Sequence, residues 1–170
     1  KAWYLTHPMV SELTPEERET LRQATAVQSL RNLHELDASQ LTVGECFRGT
    51  NVQTAMRVME EATRVALIAM LARCCKFIDA NKTLSQPGDI EMTLNELLKQ
   101  FPTLTIEDWR LCLYMMAKES FGPYYERLKL AQFVQCFAKY EELRQPVIQT
   151  IRENEAKDAQ QEQAEARRYL

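Results

Sequence analysis

The stretch NVQTAMRVMEEATRVALIAMLARCCKFIDA, Asn51 to Ala80, decides the fold. Asn51 is a residue type whose side chain caps a helix start. In the first half, Val52, Ala55, Met56, Met59 and Ala62 recur at helical spacing, with Arg57, Glu60, Glu61 and Arg64 on the other side. From Val65 to Ala72 the run VALIAMLA is apolar all round, closed by Arg64 and Arg73. A helix apolar on every side is surrounded by other helices. The pattern predicts one central helix over 51–80, with Ala69 inside the bundle. The apolar run is too short to span a bilayer, which takes about 20 residues.

Toward the N-terminus, Asp37 to Gly49 reads as a connection broken by Gly44 and Gly49. Before it, Thr14-Pro15-Glu16-Glu17 is a helix start, with Thr14 as cap, Pro15 in the first position and Glu17 completing a capping box. That helix is expected to reach Leu36, with Leu21, Ala24, Val27, Leu30, Leu33 and Leu36 along one drifting face.

Toward the C-terminus, Ser85-Gln86-Pro87-Gly88 precedes a helix carried by Ile90, Leu94, Leu97, Leu98 and Phe101. Either Ser85 caps it with Pro87 in its first turn, or it begins near Asp89. Thr105-Ile106-Glu107-Asp108 announces another helix, with Trp109, Cys112, Leu113, Met115 and Met116 on its apolar side and Ser120-Phe121-Gly122-Pro123 closing it. A helix from Lys129 to Arg144 buries Leu130, Phe133, Val134, Phe137 and Tyr140, and Pro146 is expected to interrupt it. From Arg152 to Arg168 there are four basic and five acidic residues among Ala and Gln, a composition that makes helix without a core face. The expectation is an all-α, compact bundle of five or six helices over 1–146, followed by a charged helical tail over 147–170.

With 170 residues the chain is the size of one domain, and its 45% hydrophobic content can fill a core without disulfides or metal. A net charge of −3 excludes a globally basic nucleic-acid coat but leaves room for a local basic face. No charged-then-apolar leader opens the sequence. Five cysteines (Cys46, Cys74, Cys75, Cys112 and Cys136) form an odd set without a CxxC pair. They read as free, buried thiols of a reducing cytoplasm.

Catalytic chemistry finds little to work with. His7 and His34 are the only histidines, and His34 stands at a helix C-terminus, where a cation is favourable. No phosphate loop, nucleophile elbow or HExxH is present. Glu60-Glu61 lacks the ExxH companion of a di-metal bundle. The expectation is a protein that is not an enzyme and holds no cofactor and no metal.

The least ordinary stretch is Trp109 to Lys129. It carries four basic residues (Arg110, Lys118, Arg127 and Lys129) against Glu119 and Glu126, interleaved with Tyr114, Phe121, Tyr124 and Tyr125. Basic groups track a phosphate backbone and aromatic faces stack on unpaired bases. Arg110, Lys118, Tyr124, Tyr125, Arg127 and Lys129 are therefore the candidate binding residues.

The same stretch resembles a group of small helical proteins encoded by phages and mobile elements of gut bacteria. The likeness rests on Leu104-Thr105-Ile106-Glu107-Asp108-Trp109-Arg110-Leu111-Cys112, then Gly122, Tyr124-Tyr125-Glu126-Arg127-Leu128, then Phe133, Tyr140 and Arg144. It covers about Ala66 to Arg144. In that group an aromatic and a Gly-x-Tyr link the two helices; here Pro123 stands between Gly122 and Tyr124. The resemblance implies no established activity. The placement of some such genes beside replication genes implies a replication accessory or helicase-loading role. The expected function is thus a non-enzymatic interaction protein with a protein partner and no membrane attachment. A single-stranded nucleic-acid-binding module is the alternative, and an enzyme of unrecognised type the remote one.

Overall fold

A computed structural model describes residues 14–16, 18–19, 37–78, 86–124 and 128–168. Among them run six helices: α1 (Val43–Phe47), α2 (Val52–Val58), α3 (Glu60–Ile78), α4 (Pro87–Gln100), α5 (Ile106–Ala117) and α6 (Leu130–Arg168). No strand occurs among the described residues; the only bridge there is an isolated antiparallel one between Asn51 and Thr105. The expected all-α bundle is therefore the observed class. The helix expected over 14–36 lies outside the described residues beyond its start, where Arg18 N–H donates to Thr14 O at 3.0 Å.

Capping chemistry places the helix starts. Asn51 Oδ1 accepts from Gln53 N–H and Thr54 N–H, at 2.9 and 3.2 Å. Thr105 and Asp108 form a full reciprocal capping box, as do Thr42 and Glu45 at α1. The α2 and α5 starts are tied together, because Val52 N–H donates to Leu104 O and Ile106 N–H to Thr50 O, at 3.0 and 2.9 Å. Pro87 occupies the first turn of α4, with Gln86 in the cap position. Pro is suited there, since its missing N–H would be unpaired in any case.

The core gathers around Trp109, which is fully buried on α5. Its ring meets Phe137 of α6 edge-on, centroids 4.9 Å apart at 75°, and Phe137 also touches Phe101 at 5.6 Å. Leu67, Met70, Leu71 and Cys74 from α3, Leu94 and Leu97 from α4, and Phe133 and Tyr140 from α6 complete it. All five cysteines are free and buried. No helix among the described residues is long and apolar enough to cross a membrane.

Four details depart from the expectations. The central helix is two helices, broken at Met59 (φ −143°, ψ 62°). Little hydrogen bonding is lost there: Met59 N–H still donates to Ala55 O at 2.8 Å, and Thr63 N–H to Met59 O at 2.9 Å. Beyond the break the buried residues include Thr63, Leu67, Met70 and Cys74, which at 100° per residue still lie within about 60° of Val52. The second correction is to the expected burial: Ala62 and Ala69 are exposed, and the apolar run has an open side.

Third, Pro146 lies inside α6, which continues unbroken to Arg168. Pro146 and Glu142, whose carbonyl loses its partner, both sit on the exposed side, where water serves that carbonyl. Ile148, two residues on, is buried, so packing extends past 146. Fourth, α5 ends at Ala117 with Lys118 as its cap, ahead of the expected stop at Ser120–Pro123. Glu119 adopts φ 55°, with Ser120 N–H donating to Met115 O and Glu119 N–H to Met116 O, at 2.9 and 3.0 Å. This is the double bond pattern of a Schellman stop. Gly122, at φ 108°, then turns the chain toward α6.

Candidate interaction surface

α6 is organised around a buried charge. Its inward stripe runs Phe133, Phe137, Tyr140, Arg144 and Ile148, all buried. Arg144 Nε lies 2.9 Å from Asp108 Oδ2 on α5, with both side chains almost wholly enclosed. The Nε–H is not aligned on that oxygen, so the contact is an ion pair more than a directed hydrogen bond. Tyr140 O–H donates to Asp108 Oδ1 at 2.7 Å, and Thr105 N–H donates to Oδ2 at 2.9 Å. Arg144 also donates to Thr103 O at 3.1 Å. Thr105 O–H donates to Cys46 O at 2.6 Å, which ties α1 to the same node.

This node holds helices and performs no evident chemistry. Burial raises the Asp108 carboxyl above its usual range, opposed by the Thr105 N–H, Arg144 and Tyr140. Both Asp108 oxygens are engaged, so neither is presented to a substrate. The thiols are equally withdrawn. Burial pushes Cys46 up to about 12, and raises Cys74, Cys112 and Cys136 above the ordinary thiol value. A protonated, enclosed thiol is a poor nucleophile. Among the described residues no three His, Cys, Asp or Glu side chains gather as a metal would require.

The residues behind the resemblance are those that build this node and its surroundings: Thr105, Asp108, Trp109, Phe133, Tyr140 and Arg144. Their pattern is accounted for by packing. No family model, curated protein or solved structure matches this chain.

The six candidate binding residues divide. Tyr124 turns inward: its O–H donates to Met116 O at 3.1 Å and stands 3.8 Å from Cys136 Sγ. Arg110 donates to Asp37 O, clasping the segment before α1. Lys118 is exposed at the end of α5, its ammonium 5.2 Å from the Tyr114 ring centre. Lys129 is exposed at the start of α6. Tyr125 and Arg127 lie outside the described residues. Lys139, one helix face further along, donates to Phe121 O at 3.2 Å. The connector thus offers exposed cations at its two ends, while Tyr124 serves as a peg into the bundle.

The larger open surface is the second half of α6. Ile151 is half-buried, with its Cδ1 against the bare face of Gly44. From Arg152 to Arg167 every residue is exposed. Among the described residues its root meets the body: Arg152 and Arg144 each lie 5.8 Å from the Phe47 ring centre, and Arg48 meets Glu155 at 3.5 Å. Beyond Glu155 a further three turns stand clear, about 20 Å of helix.

Proposed function

We propose that this protein is a non-enzymatic helical adaptor of a phage or mobile element. It acts as an accessory of DNA replication in the cytoplasm, in the manner of a helicase loader, and meets a protein partner through the exposed half of α6. The observation that carries this reading is the helix continuing past the core with every residue from Arg152 to Arg167 exposed. Such a helix buries little against the described residues, and most of a helix's stability in a protein comes from packing. A partner that packs along it supplies what the bundle does not. The replication setting is supported by the resemblance alone, and the cytoplasm by five unpaired thiols.

The test is recovery of partners from cells by the tagged full chain and by a chain ending at Ile151. The adaptor reading expects the shorter chain to fold and to lose the main partner. Equal recovery by both would place the contact elsewhere.

A second reading, direct binding of single-stranded nucleic acid, is favoured by Lys118 and Lys129 standing exposed at the ends of an aromatic connector. Replacing both by Glu, with titration against single-stranded DNA at two salt concentrations, separates the readings. Affinity that falls steeply with salt and is abolished by the double change marks phosphate contact. Indifference of partner recovery to the same change leaves the α6 arm as the contact.

A further inference from the structure

One face of α3 is left open. Along it stand Ala62, Val65, Ala69, Arg73 and Lys76, with Glu61 and Phe77 at its edges. Val65 is 62% exposed and Phe77 70%, high values for such side chains on a helix of a folded body. Ala62, Val65, Ala69, Ala72 and Lys76 follow steps of three and four, the spacing of a helix–helix seam. The charges along it are polarised. Glu60 and Glu61 open the helix and Arg73 and Lys76 close it. Arg64 is committed elsewhere, to Glu91 at 3.3 Å and Asn95 at 3.0 Å, whereas Glu61, Arg73 and Lys76 form no ion pair with any described residue.

We propose that this face is the self-association site of the protein, occupied by α3 of a second copy running antiparallel about a two-fold axis at Ala69.

The charge pattern selects both the occupant and its direction. With the axis at Ala69, Lys76 of one copy lies opposite Ala62 of the other and beside its Glu61. Arg73 lies opposite Val65, its stem covering that side chain and its guanidinium reaching the same acidic end. A parallel pair would instead set Arg73 and Lys76 against themselves. A two-fold contact is self-complementary by construction, and a helix acidic at one end and basic at the other satisfies that condition. Ala69 at the axis lets the backbones approach, and Val65 and Phe77 lose their exposed area. A single pair of helices, each about 28 Å long, covers less than the ~800 Å² per partner of a standard interface. The dimer is therefore weak and concentration-dependent.

Sedimentation equilibrium of the full chain, from micromolar to submillimolar concentration, is expected to show a reversible monomer–dimer equilibrium. Arg73→Glu with Lys76→Glu, and separately Glu60→Lys with Glu61→Lys, should each weaken it roughly tenfold or more through like-charge contact. Mixing the two double variants should restore association as a heterodimer, at least as tight as the parent. All four positions are exposed, so each variant should melt as the parent does. Ala69→Cys adds a single surface thiol to a chain whose own cysteines are all buried, and mild oxidation should yield a disulfide-linked dimer. A parent that stays monomeric throughout, charge variants that associate unchanged, or a mixture that forms no heterodimer would each overturn the proposal. So would a photo-crosslinker on the Ala69→Cys thiol that captures residues 14–36 of the same chain, for then the face belongs to the protein's own N-terminal segment.

Discussion

The two halves of α6 belong to one continuous helix, yet different physics hold them. From Leu130 to Ile151 an inward side chain recurs every three or four residues, and the stripe includes a charged residue, Arg144, buried to 2% exposure. From Arg152 onward the sequence changes to Glu, Gln, Ala, Lys and Arg, and every described side chain up to Arg167 is exposed. The first half is helical because the bundle requires it. The second is helical because its residues favour helix and an existing helix extends at little cost. A helix boundary and a domain boundary are thus separate quantities here: the helix ends at Arg168, whereas packing ends near Ile151.

The largest effect should come from the charge in the packed half. Arg144→Met leaves Asp108 buried without its counter-ion and should lower stability by about 3–5 kcal/mol, read from urea unfolding. Adding Asp108→Asn removes the stranded charge and should recover part of that loss. A cost below about 1 kcal/mol for Arg144→Met alone would show that the node is ornamental to folding.

Truncation locates the change of regime. Ending the chain at Pro146 removes buried Ile148 and should cost about 1.5–3 kcal/mol. Ending it at Ile151 removes only the Arg152–Phe47 and Arg48–Glu155 contacts and should cost about 1 kcal/mol or less. Equal melting temperatures for the two shortened chains would erase the distinction.

A matched pair of glycine substitutions sharpens it further. Ala138→Gly, in the packed half, should lower global stability by about 1 kcal/mol. Ala159→Gly carries the same local penalty but should leave the unfolding midpoint in place, appearing only as faster amide exchange along the arm. The smallest effect belongs to Glu155→Gln at the arm's root. Its partner Arg48 is about half exposed, so the change should stay within about 0.5 kcal/mol.

Much of this architecture is legible in the residues. Asn51, Pro87 and the Thr105–Asp108 box mark helix starts by local chemistry alone, and each start lies where that chemistry puts it. The stops and breaks are less legible. Met59 has no turn-forming tendency, and its φ/ψ follow from how α2 and α3 must face their neighbours. Glu119 takes a left-handed conformation that Gly122, three residues on, would adopt more readily, because the α5 hydrogen-bond ladder runs out there. Pro146 is tolerated since its missing bond faces water.

The candidate site was legible only in part. A basic and aromatic composition draws attention to the connector, but composition does not reveal that Tyr124 points inward. Arg144 was missed as a structural charge, although its spacing from Phe133, Phe137 and Tyr140 sets it on the inward face. Asp108 was recognised for its cap, while its second oxygen, bound to Tyr140, was invisible without the fold. Ala69 shows the opposite case: an apolar run predicts burial on all sides, whereas one side of α3 is exposed.

The projecting half of α6 also changes how the molecule moves through solvent. An exposed helical arm of about 24 Å raises the drag far more than it raises the mass. The protein should therefore elute early from a sizing column and tumble slowly and anisotropically, so that a monomer can pass for something larger. Elution volume is then a poor guide to the number of copies, and a shape-independent measure of mass is the one to use. A chain ending at Ile151 should regain the hydrodynamic radius of a sphere much more nearly than its loss of 19 residues alone would suggest.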